Sequence, residues 1–405
     1  MRILIIAATY PPTRCGVGDY VRRVGHEFVG EANEIFVLTG ASEDEDHDHG
    51  DPTVAAVGPR PKPRKGIEVR FEADGSGVKL ARAVETWDWS ALDAIESALR
   101  DVAPDVVNLQ YHGEDYLLHP AICLTPDLAR MHDVPTVTTL HNLQQPLRWE
   151  EDGEDPLDHL MRASAAWICT NQIDEARLRA HDASPGRLHR VPTGPSFDVE
   201  PTPRVVAPDG PLRVGYFGFL NPFKGIEFLL RAVAGVRDRG TAIELEMGAG
   251  IHTDAPGRLR DYAAAIDAEI EELALGPNLH RQGFLPEEEI GRLLSRCHVA
   301  VFPFREGLSG KNTSFWSTMH QATPTLTTRG PGLPDGLVDG ENTLLAPVED
   351  VDALIEKLLW ADAHRDVLEE IGRKGQDFVV RSLSWDALAA RMLEIFDRST
   401  AGRLA

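Results

Sequence analysis

The chain has 405 residues, too many for one compact core, so two domains are expected. It carries 41 basic against 64 acidic side chains, a formal charge of −23, which repels nucleic acid and anionic lipid and makes neither an expected partner. Hydrophobic content of 42% is ordinary for a globular protein, and no apolar run reaches the ~18 residues of a membrane span.

The four cysteines, Cys15, Cys123, Cys169 and Cys297, are scattered without metal-like spacing, which points to a reducing cytoplasm. Met1 to Ile6 is short and is soon followed by Pro11 and Pro12, which reads as a buried first strand and not as a signal peptide. The first half then alternates strands and helices, the pattern of a parallel sheet with helices on both faces. Ile3 to Ala8 is the first strand. The loop after it leads into a helix with Val17, Tyr20, Val21, Val24 and Phe28 on one face. Gly16 and Gly18 resemble the start of a dinucleotide fingerprint, but its third glycine would fall on Val21, so a nicotinamide enzyme is not expected. What remains is a glycine turn that lets backbone approach a ligand closely.

Glu34 to Leu38 is the second strand. Residues 43–51 combine acidic and histidine side chains at close spacing, yet such runs repel themselves, and a solvated loop is expected there instead of a metal site. Ile67 to Phe71 can form a strand, and Gly75 to Gly77 reads as flexible. Leu92, Ile95, Leu99 and Val102 mark a helix. The strands Asp105 to Gln110 and Val134 to Leu140 then end at His112 and His141, and ligands of an open parallel sheet collect at such carboxyl ends. Trp87 and Trp89 could stack on a ligand ring, but core or helix packing is the favoured reading. Trp167 to Thr170 and Arg187 to Val191 close this half, and five prolines between Pro192 and Pro208 mark a linker.

After the linker the pattern starts again. Leu212 to Phe219 is a buried strand, and the loop bearing Lys224 leads to a helix with Ile226, Leu229, Leu230 and Val233 on one face. A strand with Ile243, Leu245 and Met247 ends at Gly250. A helix with Leu259, Tyr262, Ile266, Ile270 and Leu273 follows, then a strand around Leu279 to Phe284 and a helix from Glu287. The strand Val299 to Phe304 runs into a loop with Glu306, two glycines and Lys311, and then a helix that Asn312 or Thr313 is suited to cap. A further strand follows Pro324, Asp339 to Asn342 forms a turn, and two helices end the chain. The last has Trp385, Leu388, Met392, Ile395 and Phe396 on one face. Strand, polar glycine loop and helix N-terminus make an anion site twice, and Lys224 and Lys311 each add a full charge. Together they are expected to neutralise a diphosphate.

These segments carry a resemblance. Phe217 to Glu227, with a glycine, a short loop and Lys224-Gly225, then Phe302 to Gly307, then Asp339 to Asn342, are similar in order to motifs of the retaining, sugar-nucleotide-dependent glycosyltransferases of family 4, which have the GT-B fold. Thr138 to His141 resembles the family's histidine at a strand end, and Arg187 to Phe197 resembles the segment before its linker. The resemblance implies two Rossmann-like parallel-sheet domains facing across a cleft. Residues 1–200 would form the acceptor side, residues 201–383 would bind the donor, and a terminal helix, 384–405, would pack back on the first domain.

It further implies catalytic roles for Glu306, facing the transferred sugar, and for His141, near the reacting centre. Gly218 and Lys224 would meet the phosphates, the amides of Gly307, Leu308 and Ser309 would follow Glu306, and Gly16 and Gly18 would let the first loop approach the diphosphate. There are two departures from the pattern. Phe219 stands where many members have a phosphate-binding arginine, a charge that Lys311 would supply. The family's second glutamate, eight residues after the first, falls on Ser314, or on Ser317 when counted back from Pro324. The implied reaction needs no cofactor or metal. A nucleoside diphosphate sugar is the donor, a hydroxyl of a carbohydrate, lipid or small molecule is the acceptor, and the departing phosphate helps deprotonate that acceptor. The alternatives are a non-catalytic sugar-nucleotide-binding relative and a sugar-nucleotide epimerase or hydrolase.

Overall fold

The computed structural model describes residues 1–401 apart from 14, 31, 42–67, 144–154, 182–185, 198 and 251–256. The acidic run at 43–51 lies outside the described residues. The chain divides into two compact units, Met1–Pro192 with Trp385–Ala405, and Thr193–Ser384.

The first unit is built on β1 (Arg2–Ile6), β2 (Glu34–Gly40), β3 (Glu72–Ala73), β4 (Val78–Val84), β5 (Val106–Tyr111), β6 (Thr136–Leu140), β7 (Ala166–Cys169) and β8 (Leu188–Arg190). Their order is β3-β4-β2-β1-β5-β6-β7-β8, parallel except for the β3–β4 pair. Period-two alternation distributes the apolar side chains of β1 to both faces. Ile3 and Ile5 pack with α1 (Gly16–Phe28), while Leu4 and Ile6 pack with α2 (Ala91–Val102). α3 (Thr125–Met131), α4 (Pro156–Ala163) and α5 (Gln172–His181) connect the later strands.

The second unit has β9 (Leu212–Phe219), β10 (Ile243–Gly250), β11 (Leu279–Arg281), β12 (Val299–Phe302), β13 (Thr325–Arg329) and β14 (Leu344–Pro347), in the all-parallel order β11-β10-β9-β12-β13-β14. Its helices are α6 (Ile226–Asp238), α7 (Gly257–Glu272), α8 (Glu287–Ser295), α9 (Thr313–His320), α10 (Val351–Ala363) and α11 (Arg365–Ser382). The chain then returns to the first unit as α12 (Trp385–Ala401), whose Leu388, Met392 and Phe396 are buried against α1. Both sheets have the doubly wound order that reverses beside the first strand of the unit, so loops after β1 and β5, and after β9 and β12, emerge at topological switch points.

Several elements differ from expectation. Residues 68–71 are not a strand; pairing there is limited to β3, which turns through Gly75 and Gly77 (both at positive φ) into β4. The β4 sequence has a buried residue only at every third position, so no period-two signal marks it. β14 and α10 were not foreseen either. The second unit begins at Thr193, ahead of the boundary expected after residue 200: the Ser317 hydroxyl meets Ser196 at 3.0 Å and accepts from the Phe197 amide at 3.2 Å, and Gln321 accepts from the Thr202 amide at 3.0 Å.

Candidate active site

In the second unit, neighbouring parallel strands carry the two lysine-bearing loops. β9 gives way to a short 3-10 turn, Pro222–Lys224, and β12 to the loop holding Glu306 and Lys311. The two loops are stitched together. The Arg305 amide donates to the Phe223 carbonyl at 3.1 Å, and Gly225, at φ +66, packs so closely that a Cβ there would meet the Pro303 carbonyl. This contact places the Lys224 ammonium 5.1 Å from the centre of the Phe304 ring, two residues before Glu306. Lys224 is half-buried, and its ammonium has no hydrogen bond or ion pair among the described residues. Desolvation pushes its pKa down to about 8, so it remains largely charged at neutral pH.

Glu306 is exposed and likewise has no partner among the described residues. The adjacent Arg305 does not pair with it. Its guanidinium instead holds Glu227, at the start of α6, and Glu349 at 2.5 Å. Glu227 also accepts from the Tyr262 hydroxyl at 2.7 Å. Lys311 is exposed at the same carboxyl edge of the sheet, just before α9, and is also unpaired among the described residues. Gly218, next to last in β9, sits at φ +138, a conformation that favours glycine. Phe219 turns its half-exposed ring to Phe284 at 5.4 Å and supplies no charge.

The loop after Glu306 corrects one expectation. The amides of Gly307, Leu308 and Ser309 donate to Phe304 O, Thr328 O and Asn312 Oδ1, at 2.9, 2.9 and 2.7 Å, and so are not free donors. Gly307 is needed for fold: at φ +84 its Cα faces Gly330, and a Cβ would overlap that backbone. Free donors lie further on. No acceptor is found among the described residues for the amides of Gly310, Lys311 and Ser314, which lead into the N-terminus of α9. Asn312 sits at the N-cap position, but its side chain closes the Ser309 turn and leaves the helix uncapped. Ser314 is buried in the first turn of α9, and Ser317 is committed to Ser196 and Phe197. The signal for these donors was the Gly310-Lys311 pair ahead of a helix start, but which amides stay open depends on the fold of the loop.

In the first unit, Gly16 opens α1 with nothing within 4 Å of a notional Cβ, leaving its backbone accessible. Gly18 is different: a Cβ there would press on Thr9 at 3.2 Å, so this glycine serves the packing of α1 against the loop after β1. His141 follows β6, its Nε2 2.8 Å from Gln110 Oε1 and its ring edge-on to Tyr20 at 4.9 Å. Burial pushes its pKa down to about 3, so the imidazole is neutral at physiological pH. Trp87 is buried, donates to Ala8 O at 3.3 Å and packs edge-on to Tyr116; Trp89 packs on His119. Both are accounted for by packing. Among the described residues no group of three or more His, Cys, Asp or Glu side chains could hold a metal, and no helix is long and apolar enough to cross a membrane.

Comparison with known proteins matches residues 15–198 to the family model described as Glycosyltransferase Family 4, and residues 211–363 to the model described as Glycosyl transferases group 1; together they take in most of the chain. The chain is 24% identical to the D-inositol 3-phosphate glycosyltransferase of Corynebacterium efficiens, over 99% of this chain and 96% of that protein. It is 29% identical to the MMP alpha-(1->4)-mannosyltransferase of Mycolicibacterium hassiacum, over 54% of this chain and only 50% of that protein. Among solved structures, sucrose-phosphate synthase from Thermosynechococcus elongatus aligns with a TM-score of 0.71 at 17% identity, covering 99% of each chain. Anabaena Alr3699/HepE in complex with UDP-glucose aligns at 0.68 and 12% identity, covering 98% of this chain and 100% of that one.

Proposed function

Since the chain belongs to glycosyltransferase family 4 and is a sugar-nucleotide-dependent glycosyltransferase of the GT-B fold, we propose that it transfers the sugar with retention at the anomeric carbon, and without a metal, from a nucleoside diphosphate donor held by the second unit. The observation that carries this reading is that the loop with the unpaired Lys224 ammonium is tied to the loop with the unpaired Glu306, at the switch point of that sheet. As the bond from the anomeric carbon to the diphosphate oxygen breaks, negative charge develops on the leaving group. Lys224, Lys311 and the open amides of Gly310 and Ser314 supply preorganised positive charge there. The acceptor oxygen bonds to the same face of the anomeric carbon, and its proton passes to the departing phosphate oxygen. Glu306 accepts hydrogen bonds from hydroxyls of the transferred sugar. A neutral His141 positions hydroxyls without adding charge.

The relatives bear on the donor: HepE has been seen with UDP-glucose, and several curated relatives are D-inositol 3-phosphate glycosyltransferases. We take the acceptor to be a hydroxylated small molecule, carbohydrate or lipid headgroup, bound by the first unit, and the setting to be cytoplasmic. A purely sugar-nucleotide-binding role fits Phe219 and the lack of a second carboxylate, but gives no use to a free Glu306.

The test is transfer from UDP-, GDP- and ADP-sugars to a panel of acceptors in the presence of EDTA, with the product's anomeric configuration read by NMR. Activity should survive the chelator and the product should keep the donor's configuration. Glu306→Gln should lower kcat by about 10²-fold or more, because the interaction is made with the transition state. Lys224→Ala and Lys311→Ala should each weaken nucleoside diphosphate binding about tenfold, the equivalent of ~1.4 kcal/mol. Inversion, or activity abolished by EDTA and restored by a divalent ion, would overturn the reading.

A further inference from the structure

β5 and β6 run parallel with Tyr111 opposite Leu140, so the residues that follow, His112 and His141, leave the sheet side by side. Two bonds tie these strand ends together: the His141 amide donates to Tyr111 O at 2.9 Å, and the Gly113 amide donates to Asn142 Oδ1 at 3.1 Å. One nitrogen of each imidazole faces a protein acceptor. The Gln110 side-chain nitrogen donates to Asn108 Oδ1, so the Gln110 oxygen faces His141 Nε2, which must therefore carry the proton. On the other ring, Nδ1 lies 2.9 Å from Oδ1 of the buried Asp115. That approach is oblique and lacks the alignment of a good hydrogen bond. A carboxylate can only accept, however, so it still favours the tautomer with the proton on Nδ1.

The second nitrogens, His141 Nδ1 and His112 Nε2, have no hydrogen-bond partner among the described residues. With both rings in these neutral tautomers, the site presents two lone pairs beside a carboxylate. Such a pair suits hydroxyl donors, whereas a phosphate would gain no donor from either ring and would meet the Asp115 carboxylate. Cys15 Sγ lies 3.7 Å from Asp115 Oδ2, but burial pushes the thiol up to about 12, so it stays protonated and is not a nucleophile.

We propose that His112, oriented by Asp115, acts with His141 as a recognition point for neighbouring hydroxyls of a pyranose or cyclitol ring. The geometry belongs to the first unit alone; the identity of the ring, acceptor or transferred sugar, rests on the glycosyltransferase reading above.

The full chain, as wild type, His112→Phe and His112→Gln, is titrated with UDP and GDP, then with UDP-glucose and GDP-mannose, and finally with myo-inositol, D-glucose and D-mannose in the presence of the better-bound diphosphate. Removing a ring acceptor in His112→Phe should weaken hydroxyl-bearing ligands by about tenfold while leaving the bare diphosphate unchanged. His112→Gln keeps an acceptor oxygen and should restore most of the binding. A loss confined to the free polyols assigns the acceptor; a loss in the sugar nucleotide relative to its diphosphate assigns the transferred sugar. The proposal is overturned if His112→Phe binds both like wild type, if it loses diphosphate affinity and thermal stability together, or if wild type shows neither polyol binding nor a sugar contribution. Should wild type fail to bind any diphosphate yet hold polyols through His112, the donor reading falls and this site stands.

Discussion

Lys224 is charged only while the pH stays below its lowered pKa of about 8. Its ordinary value is 10.5, and no carboxylate among the described residues offsets the desolvation. A bound diphosphate raises that pKa again, so binding takes up a proton above pH 8. Nucleoside diphosphate affinity should therefore be highest below about pH 7.5 and fall by up to tenfold per pH unit from about pH 8 to about pH 9.5. Calorimetric titrations across that range would check it. In Lys224→Met the affinity should be low throughout and this step absent; a wild-type affinity flat with pH would show that the ammonium does not meet the phosphates. That Lys224 and Glu306 sit at strand ends was legible in the sequence. That Glu306 is left unpaired was not, because the Arg305 guanidinium beside it is taken by Glu227 and Glu349, from distant elements.

The contact between the β9–α6 turn and the β12–α9 loop depends on one glycine. Gly225 sits at positive φ with the Pro303 backbone where a Cβ would go, so Gly225→Ala must push the loops apart. Diphosphate affinity should fall at least about tenfold, because Lys224 moves off Phe304, whereas Gly240→Ala, also at positive φ but with open space around it, should strain only its own turn. Binding titrations on the two variants separate loop apposition from backbone strain. Helices with a clear 3.6-residue stripe, such as α1, α2 and α6, and the continuous apolar strands were readable directly. β4 was not, since its facing is set by β2 on one side and the short β3 on the other. The open amides at Gly310, Lys311 and Ser314 were also hidden, because Asn312 turns its side chain to Ser309 instead of capping α9.

At the scale of the whole molecule, α12 completes the first unit although it comes last in the chain. Phe396 is fully buried and edge-on to Phe28 at 5.6 Å, while Trp385 packs on Tyr20, the ring that supports His141. Phe396→Ala should cost about 3–5 kcal/mol of the first unit's stability through the cavity it leaves. In calorimetry the transition of that unit should drop in temperature, with diphosphate binding by the second unit unchanged below it. The two βα repeats, the order of most of their strands and helices, and the chemistry at the strand ends could be read from the residues, because alternation and helical stripes are local consequences of burying apolar side chains. Which of those groups are available followed from the packing of the fold. Arg305 reaches a partner 78 residues away, the loop after Glu306 consumes its own amides, and Gly18 packs on Thr9 while Gly16 stays open. The first pairing joins residues remote in sequence, and the others follow from the path of a loop and a close backbone approach, so none has a period to read.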